Sequence, residues 1–159
     1  MNPAGYSPEK GEQVVGTPDD FLSAVESRWG RLGFDLACDG ENNVLGIPGF
    51  TPEENALERI WPHVSARGSW NWLNPPFKNI SPWVEKAGSE GEKVIILVPA
   101  SIGSRWYAEH VEGKALVIPI LGRMTFKGHS SPYPKDMMLI IFGLHGLVGM
   151  QPAWDWRAE

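Results

Sequence analysis

The sequence predicts an α/β fold in which helices alternate with the strands of a mostly parallel sheet that ends in an antiparallel hairpin. Two continuous apolar runs, residues 94–98 and 115–121, are typical of strands buried on both faces. Helix-start signals, each a threonine followed by proline and two acids, begin at Thr17 and Thr51. The apolar run 137–142 follows run 115–121 with no helix signal between them, which predicts the antiparallel pair.

The first predicted element is a helix near the start of the chain. Residues 1–16 are rich in Pro, Gly and Glu, and we expect a loose, flexible lead-in to a single domain over residues 17–159. Thr17 is expected to cap the helix, because Pro18 and two acids suit its first turn. The apolar stripe ends at Gly30, a residue typical of helix ends.

A short strand and a second helix follow. Residues 33–38 predict the strand, which closes on a turn. The signal at Thr51 predicts the helix, with an apolar face formed by Leu57, Ile60 and Trp61. Residues 69–73 then predict a strand that runs directly into a proline-rich turn.

The second half of the chain continues the alternation. The expected order is a helix at 81–88, the strand at 94–98, a helix at 101–111 and the two final strands. In an α/β sheet ligands bind at the carboxyl ends of the strands, so the segments after strands 33–38 and 69–73 are the expected site.

Composition excludes several classes of protein. The 159 residues carry a net charge of −5, and the pI near 5.4 excludes a strongly basic nucleic-acid module. No apolar run approaches the roughly 18 residues of a membrane helix, and no secretory signal is visible, so we expect no membrane partner. The single cysteine, Cys38, suits a reducing compartment, and we expect a cytoplasmic protein. Four histidines far apart in the sequence predict no metal site.

The most informative tetrapeptide is Asn74-Pro75-Pro76-Phe77, the NPPF motif. The motif suits a substrate that carries an exocyclic aromatic amine. Such an amine is a poor nucleophile because its lone pair is delocalised into the ring. The Asn74 side-chain oxygen and the Pro75 carbonyl can accept both of its N–H groups, which favours a pyramidal nitrogen. Two consecutive prolines orient these acceptors in advance, and Phe77 can stack on a base rotated out of a duplex. We therefore assign Asn74, Pro75, Pro76 and Phe77 as catalytic; the alternative is a rigid turn with Phe77 in the core.

With these motifs the chain resembles the phage-type DNA N-6-adenine methyltransferases (Dam family) over most of residues 17–142. The shared motifs are, in order, TP (17–18), FDLAC (34–38), NN (42–43), FTPEENAL (50–57), WLNPPF (72–77), WVEKA (83–87), LVPA (97–100), RW (105–106), GRMTF (122–126) and PYP (132–134). The resemblance implies a Rossmann-like methyltransferase sheet, S-adenosylmethionine as methyl donor and adenine N6 in DNA as target. It also implies a role in shielding phage DNA from host restriction.

The donor site is assigned by position within this resemblance, because no glycine-rich loop follows the first predicted strand. The cofactor-binding candidates are Thr17, Pro18, Asp35, Ala37, Asn43 and Asn55. Asp35 is expected to hold the amino-acid moiety of the donor directly or through water. Turn capping is the alternative for Asp35 and Asn43. Phe77 stands where Tyr is commoner in the family, which preserves stacking but not a hydroxyl contact.

An acidic chain that binds DNA must concentrate its positive charge. The candidate phosphate contacts are Lys78, Arg123, Lys127 and Lys135. Three of them lie in residues 122–136, predicted as an exposed loop; the alternative is a solvated loop without contacts. The chain leaves little room for a separate recognition domain. We therefore expect a short sequence preference read by this loop, or a homodimer that supplies further surface.

The sequence also allows two alternative functions. The same proline-rich turn serves enzymes that methylate a glutamine amide in proteins. The missing glycine-rich loop also allows a non-catalytic binding module that has lost its donor site. DNA binding separates the first alternative from the main hypothesis, and binding of S-adenosylmethionine separates the second.

Overall fold

The computed structural model describes residues 16–38, 44–63, 69–90 and 93–158, and these form an α/β architecture around one mixed sheet. The six strands are β1 (Leu32–Asp35), β2 (Trp70–Leu73), β3 (Val94–Pro99), β4 (Leu116–Pro119), β5 (Met137–Phe142) and β6 (Gly149–Met150). The helices in the described ranges are α1 (Asp19–Trp29), α2 (Ser81–Glu90) and α3 (Arg105–His110). The predicted lead-in, apart from Gly16, lies outside these ranges.

The strands lie in the order β1-β2-β3-β5-β4-β6. β1, β2 and β3 are parallel to one another, while β5 is antiparallel to both of its neighbours, β3 and β4. β6 is parallel to β4, so five strands point in one direction and β5 in the other. The predicted α/β class and the predicted antiparallel pairing of the last two long strands are confirmed.

The core has two halves, one on each face of the sheet. α1 covers one face with Phe21, Leu22 and Val25, and α2 and α3 cover the other. Along β3 the side chains alternate between the halves, since Ile95 belongs to the first and Ile96 to the second. Every residue of β3 is buried, which is the physical reason for its continuous apolar run.

The start of α1 differs from the prediction in one respect. Pro18, in an extended conformation, occupies the N-cap position, and no side chain caps the helix. The predicted cap by Thr17 is wrong because its hydroxyl oxygen instead accepts a hydrogen bond from a distant side chain. The predicted end of α1 at Gly30 is confirmed. The φ angle of Gly30 is 120°, a backbone conformation that glycine adopts readily and other residues adopt rarely.

The helix predicted from Thr51 is wrong. The chain forms two short 3₁₀ turns, Pro52–Glu54 and Ala56–Glu58, separated by Asn55 in the left-handed region at φ 50°. This conformation ends the first turn before a helix can propagate. Ile60 of the predicted apolar face is 91% exposed, whereas the buried Trp61 donates its indole N–H to the Ala56 carbonyl at 2.9 Å.

The 122–136 segment is only partly the exposed loop that was predicted. Met124, Phe126 and Tyr133 are buried and belong to the α1 side of the core. The Tyr133 N–H donates to the Met124 carbonyl at 2.7 Å, which closes the segment on itself. The prediction failed because polar neighbours separate these apolar residues and hide their pattern.

The outer edge of β1 is covered by the segment just before residue 51. Asp35 donates its backbone N–H to the Pro48 carbonyl and accepts from the Phe50 N–H, each at 2.9 Å. Gly49 pairs with Asp35 between these two bonds. A Cβ at Gly49 would lie 2.5 Å from the Asp35 carbonyl oxygen, so only glycine fits without movement of the backbone.

Gly49→Ala is therefore expected to destabilise the protein by about 1–3 kcal/mol, the usual cost of forcing extra atoms into a packed site. Gly103→Ala is the matched control, because a Cβ there meets nothing within 4 Å, and it should change stability by about 0.5 kcal/mol or less. Urea unfolding of both variants measures the difference. Equal stabilities would show that the segment yields to the added methyl group.

No helix in the described ranges is both long enough and apolar enough to cross a membrane.

Candidate functional site

The candidate site lies where the sheet topology changes direction. After β1 the chain moves outward to the edge segment at Gly49, and after β2 it moves the other way, to β3. The crevice at the carboxyl ends of β1 and β2 is therefore a topological switch point, the usual place for a ligand in an open α/β sheet. Asp35 ends β1, and Asn74 directly follows β2.

The NPPF motif presents one buried amide and one half-buried ring. Asn74 is 9% exposed, and its side-chain N–H donates to the hydroxyl oxygen of Thr17 at 3.2 Å. Pro75 is buried, Pro76 is exposed and Phe77 is half-buried. The structure thus joins a candidate catalytic residue to a candidate cofactor residue that lies 57 positions away in the chain.

Phe77 belongs to an aromatic triad that sequence reasoning missed. Its ring centroid lies 5.5 Å from that of Tyr133 and 6.3 Å from that of Phe126, both in edge-to-face geometry. Phe126 and Tyr133 lie 5.9 Å apart and complete the triad. The Pro-Tyr-Pro sequence around Tyr133 was the feature of the sequence that could have pointed to the triad. These contacts fix the edge of the Phe77 ring, so its orientation is set before any ligand binds.

Asp35 is a buried carboxylate at the end of β1. Its Oδ1 accepts from the Ala37 N–H at 3.2 Å, and its Oδ2 accepts from the Val44 N–H at 3.4 Å. The turn-capping role, the alternative for this residue, is therefore present. Two backbone donors therefore orient the carboxylate.

The remaining cofactor candidates are placed differently. Pro18 lies beside Thr17 at the start of α1, and Ala37 is half-buried in the turn after β1. Asn55 is exposed between the two 3₁₀ turns. Asn43 lies outside the described residues.

The four basic candidates fall into two pairs. Lys127 forms an ion pair with Asp19 at 2.7 Å, and Arg123 forms a looser one with Asp136 at 3.7 Å. Lys78 and Lys135 are exposed and form no ion pair with any described residue. Because they lack ion-pair partners there, these two lysines carry the least compensated positive charge of the four candidates. Lys78 also directly follows the NPPF motif.

Within the four described ranges, no group of three or more His, Cys, Asp or Glu side chains is arranged to hold a metal ion.

Comparison with known proteins identifies relatives among phage proteins. A protein of Escherichia phage T1 named DNA N-6-adenine-methyltransferase is 28% identical over 133 residues, which are 82% of this chain. A protein of the same name from Haemophilus phage HP1 (strain HP1c1) is 28% identical over 123 residues, 70% of this chain. The chain spans 54% of the length of the first relative and 68% of the second.

The model of one protein family, described as DNA N-6-adenine-methyltransferase (Dam), matches residues 7–141, a stretch that includes the NPPF motif, Asp35, Thr17 and the aromatic triad. The sequence resemblance is confirmed over most of the chain, and the protein belongs to the DNA N-6-adenine-methyltransferase (Dam) family.

Proposed function

We propose that this protein transfers a methyl group from S-adenosylmethionine to the exocyclic N6 amine of adenine in DNA. The observation that carries the proposal is the buried contact between Asn74 and Thr17 at the switch point, directly after β2. Membership of the Dam family and the names of the two phage relatives support it. The bacterial cytoplasm, where phage DNA is exposed to host restriction, is the proposed place of action.

The proposal extends to the fold. We interpret the sheet as the Rossmann-like sheet of a methyltransferase and residues 17–159 as one domain. Parallel order across β1, β2 and β3, with the crevice at their carboxyl ends, supports this interpretation.

The chemistry of the crevice fits S-adenosylmethionine. A buried carboxylate, Asp35, complements the ammonium group of the donor's amino-acid moiety, and its two backbone donors hold it in place. Thr17, Pro18, Ala37, Asn43 and Asn55 complete the proposed set of cofactor residues. When bound, S-adenosylmethionine supplies an electrophilic methyl carbon.

The NPPF motif prepares the amine for attack. The Asn74 side-chain oxygen and the Pro75 carbonyl accept its two N–H groups, which localises the lone pair on nitrogen. Pro75 and Pro76 restrict the backbone, so little entropy is lost on binding. Phe77, held by its aromatic neighbours, stacks on the flipped base. The proton leaves the methylated nitrogen for solvent, with no covalent enzyme intermediate.

The proposed DNA surface includes Lys78, Arg123, Lys127 and Lys135 beside the motif, and a second copy of the chain is the alternative source of sequence-reading surface. Lys78→Ala combined with Lys135→Ala is expected to weaken DNA binding and to flatten its salt dependence. If both lysines contact phosphates, the slope of log affinity against log salt falls by about 1.8, since each contact contributes about 0.9. Fluorescence anisotropy with a labelled duplex at several salt concentrations measures it.

The matched control replaces Lys93, which immediately precedes β3, and Lys114, which lies two residues before β4; both stand at the amino edge of the sheet, opposite the site. This control removes the same charge but should leave the slope unchanged. If the two double variants behave alike, the surface around the NPPF motif does not bind DNA.

The experiment that tests the proposed function is nucleoside mass spectrometry. DNA is isolated from a methylation-deficient bacterial host that expresses the chain, and N6-methyladenine is quantified against an empty-vector control. Its presence supports the proposal. Its absence with folded protein in the cell contradicts the proposal and favours a glutamine amide of a protein as substrate, or a binding module without activity. Calorimetry with S-adenosylmethionine then separates those two.

A further inference from the structure

We propose that Lys127 is a positioning residue, which holds residues 16–19 in place for the binding of S-adenosylmethionine. This inference rests on the proposed function and differs from the phosphate contact that the sequence predicts for Lys127. Its basis is that Lys127 contacts both ends of a short segment whose two middle residues, Thr17 and Pro18, are proposed cofactor residues.

Lys127 contacts this segment at three places. Its backbone N–H donates to the Gly16 carbonyl at 2.9 Å, in an isolated antiparallel bridge. Its aliphatic stem lies over Gly16, because a Cβ built there would be 2.9 Å from the Cβ and 3.1 Å from the Cδ of Lys127. Its ammonium group lies 2.7 Å from the Asp19 carboxylate, 108 positions away in the chain. The two residues between Gly16 and Asp19 are therefore held at both ends.

The start of α1 leaves one side of the segment for such a contact. Pro18 occupies the N-cap position, and no side chain caps the helix. The Leu22 N–H donates to the Pro18 carbonyl at 3.1 Å, which ties the segment to the helix that follows. Lys127 supplies the corresponding tie before the helix, at Gly16. Together the two ties fix the path of the backbone through Thr17.

Lys127 is itself attached to the core. The residue before it, Phe126, is 2% exposed and belongs to the α1 side of the core. The His129 N–H donates to the Phe126 carbonyl at 3.2 Å, which closes a turn around Lys127 and Gly128. Because Phe126 is anchored, Lys127 sets the position of residues 16–19 relative to the core.

The three contacts differ in strength. The side chains of Lys127 and Asp19 are 54% and 66% exposed, so their ion pair changes an equilibrium by about fivefold at most. The backbone bridge and the packing of the stem over Gly16 are less open to competition from water. We therefore expect small effects from variants of the ion pair and a larger effect from a variant that separates the two backbones.

The ion pair also distinguishes the two roles of Lys127. A phosphate that binds this ammonium group competes with Asp19, so removing the Asp19 charge should strengthen DNA binding if Lys127 contacts DNA. If Lys127 holds residues 16–19, the same change should instead weaken the binding of S-adenosylmethionine. The two roles thus predict effects on different ligands.

Calorimetry with S-adenosylmethionine tests the ion pair. Lys127→Met keeps the aliphatic stem and removes the ammonium group, and Asp19→Asn removes its partner. Each should raise the Kd about two- to fivefold. The double variant should bind no more weakly than the weaker single variant, because the same pair is already broken.

Asp20→Asn is the matched control, because it removes the same charge from the same helix turn and keeps the acceptor for the Phe21 N–H. It should leave the Kd within about 1.5-fold of the native value. Anisotropy with a labelled duplex should show the same salt slope for Lys127→Met as for the native chain. A slope lower by about 0.9 with unchanged affinity for S-adenosylmethionine makes Lys127 a phosphate contact and overturns the proposal.

Gly16→Ala tests the backbone bridge, because the added Cβ forces Gly16 and Lys127 apart. Displacement of a binding segment should raise the KM for S-adenosylmethionine about tenfold or more, with kcat within about twofold. A general loss of folding lowers the active fraction, and so kcat, without changing the KM. Lys127→Gly removes the obstructing atoms, so Gly16→Ala added to it should cost less than about twofold in KM. Equal penalties in the two backgrounds overturn the proposal.

Amide hydrogen exchange separates this inference from the proposed function. In Asp19→Asn and Lys127→Met the amide of residue 127 should exchange about two- to fivefold faster, since the ion pair stabilises the same junction. If the native chain neither binds S-adenosylmethionine nor methylates DNA, the proposed function fails, and the exchange rate still shows whether Lys127 holds residues 16–19. If the native chain is active and the Kd responds to neither Lys127→Met nor Gly16→Ala, only this inference fails.

Discussion

Replacing Asn74 with alanine is expected to reduce kcat for the proposed adenine methylation by about 10²- to 10³-fold, the usual effect of removing one preorganised polar group from a reacting centre. The substitution deletes the acceptor oxygen and leaves the Thr17 hydroxyl without its donor. The backbone of the motif stays in place, because Pro75 and Pro76 restrict it independently of the side chain. Radiolabelled methyl transfer to a duplex measures the rate, with bound S-adenosylmethionine measured in parallel.

Asn79→Ala is the matched control, because it makes the same chemical change at an exposed position two residues after the motif. It should keep nearly native activity. Asn74→Asp retains an acceptor oxygen and adds negative charge beside the nitrogen that becomes positive, so it should remain active. An Asn74→Ala protein that methylates at half the native rate would remove Asn74 from the catalytic machinery.

Replacing Trp154 with alanine is expected to lower the free energy of unfolding by about 3–5 kcal/mol, the range for large aromatic residues in a core. Trp154 is 4% exposed, and its ring centroid lies 5.0 Å from that of Trp29 and 5.9 Å from that of Phe21. The Arg28 guanidinium lies 5.2 Å from the centroid of the same ring. Removing the indole leaves a cavity against α1 that rigid neighbours cannot fill. Urea unfolding followed by circular dichroism measures the loss.

Trp154→Phe serves as the control for this prediction. It keeps an aromatic ring and removes a buried indole N–H that has no acceptor among the described residues, so it should cost less than about 1.5 kcal/mol. Similar stabilities of Trp154→Ala and the native chain would mean that the tail is not part of the core. Trp154 lies beyond residue 141, where the family match ends, so this measurement tests a part of the core that the match does not cover.

The apolar runs predicted the sheet because a strand buried on both faces leaves its pattern in consecutive residues. β3 and β5 coincide with their predicted runs to within one residue. The order of the strands could not be read in the same way. β5 inserts between β3 and β4, and this order depends on which strands pair along its two edges once the chain has folded rather than on any local pattern.

The helix predicted at Thr51 shows where local signals mislead. Thr51 and Glu54 form a capping box, and the Thr51 N–H donates to the Glu54 side chain at 3.0 Å. The two hydrogen bonds from Thr51, the backbone one foremost, lower the pKa of this exposed carboxyl below its usual value. The start signal was therefore correct, but Asn55 ends the turn, and no capping residue can prevent that.

By itself the sequence determined the α/β class, the position of the NPPF motif directly after a strand, and the acidic charge that forces any DNA contact into a local patch. Only the tertiary structure decided that Thr17 holds Asn74, that Phe126 and Tyr133 hold Phe77, and that Lys127 is paired with Asp19. The physical reason is the range of the forces involved. Periodicity and capping act over a few residues and can therefore be read from the sequence. Contacts between distant segments exist only once the strands are ordered and the core has closed.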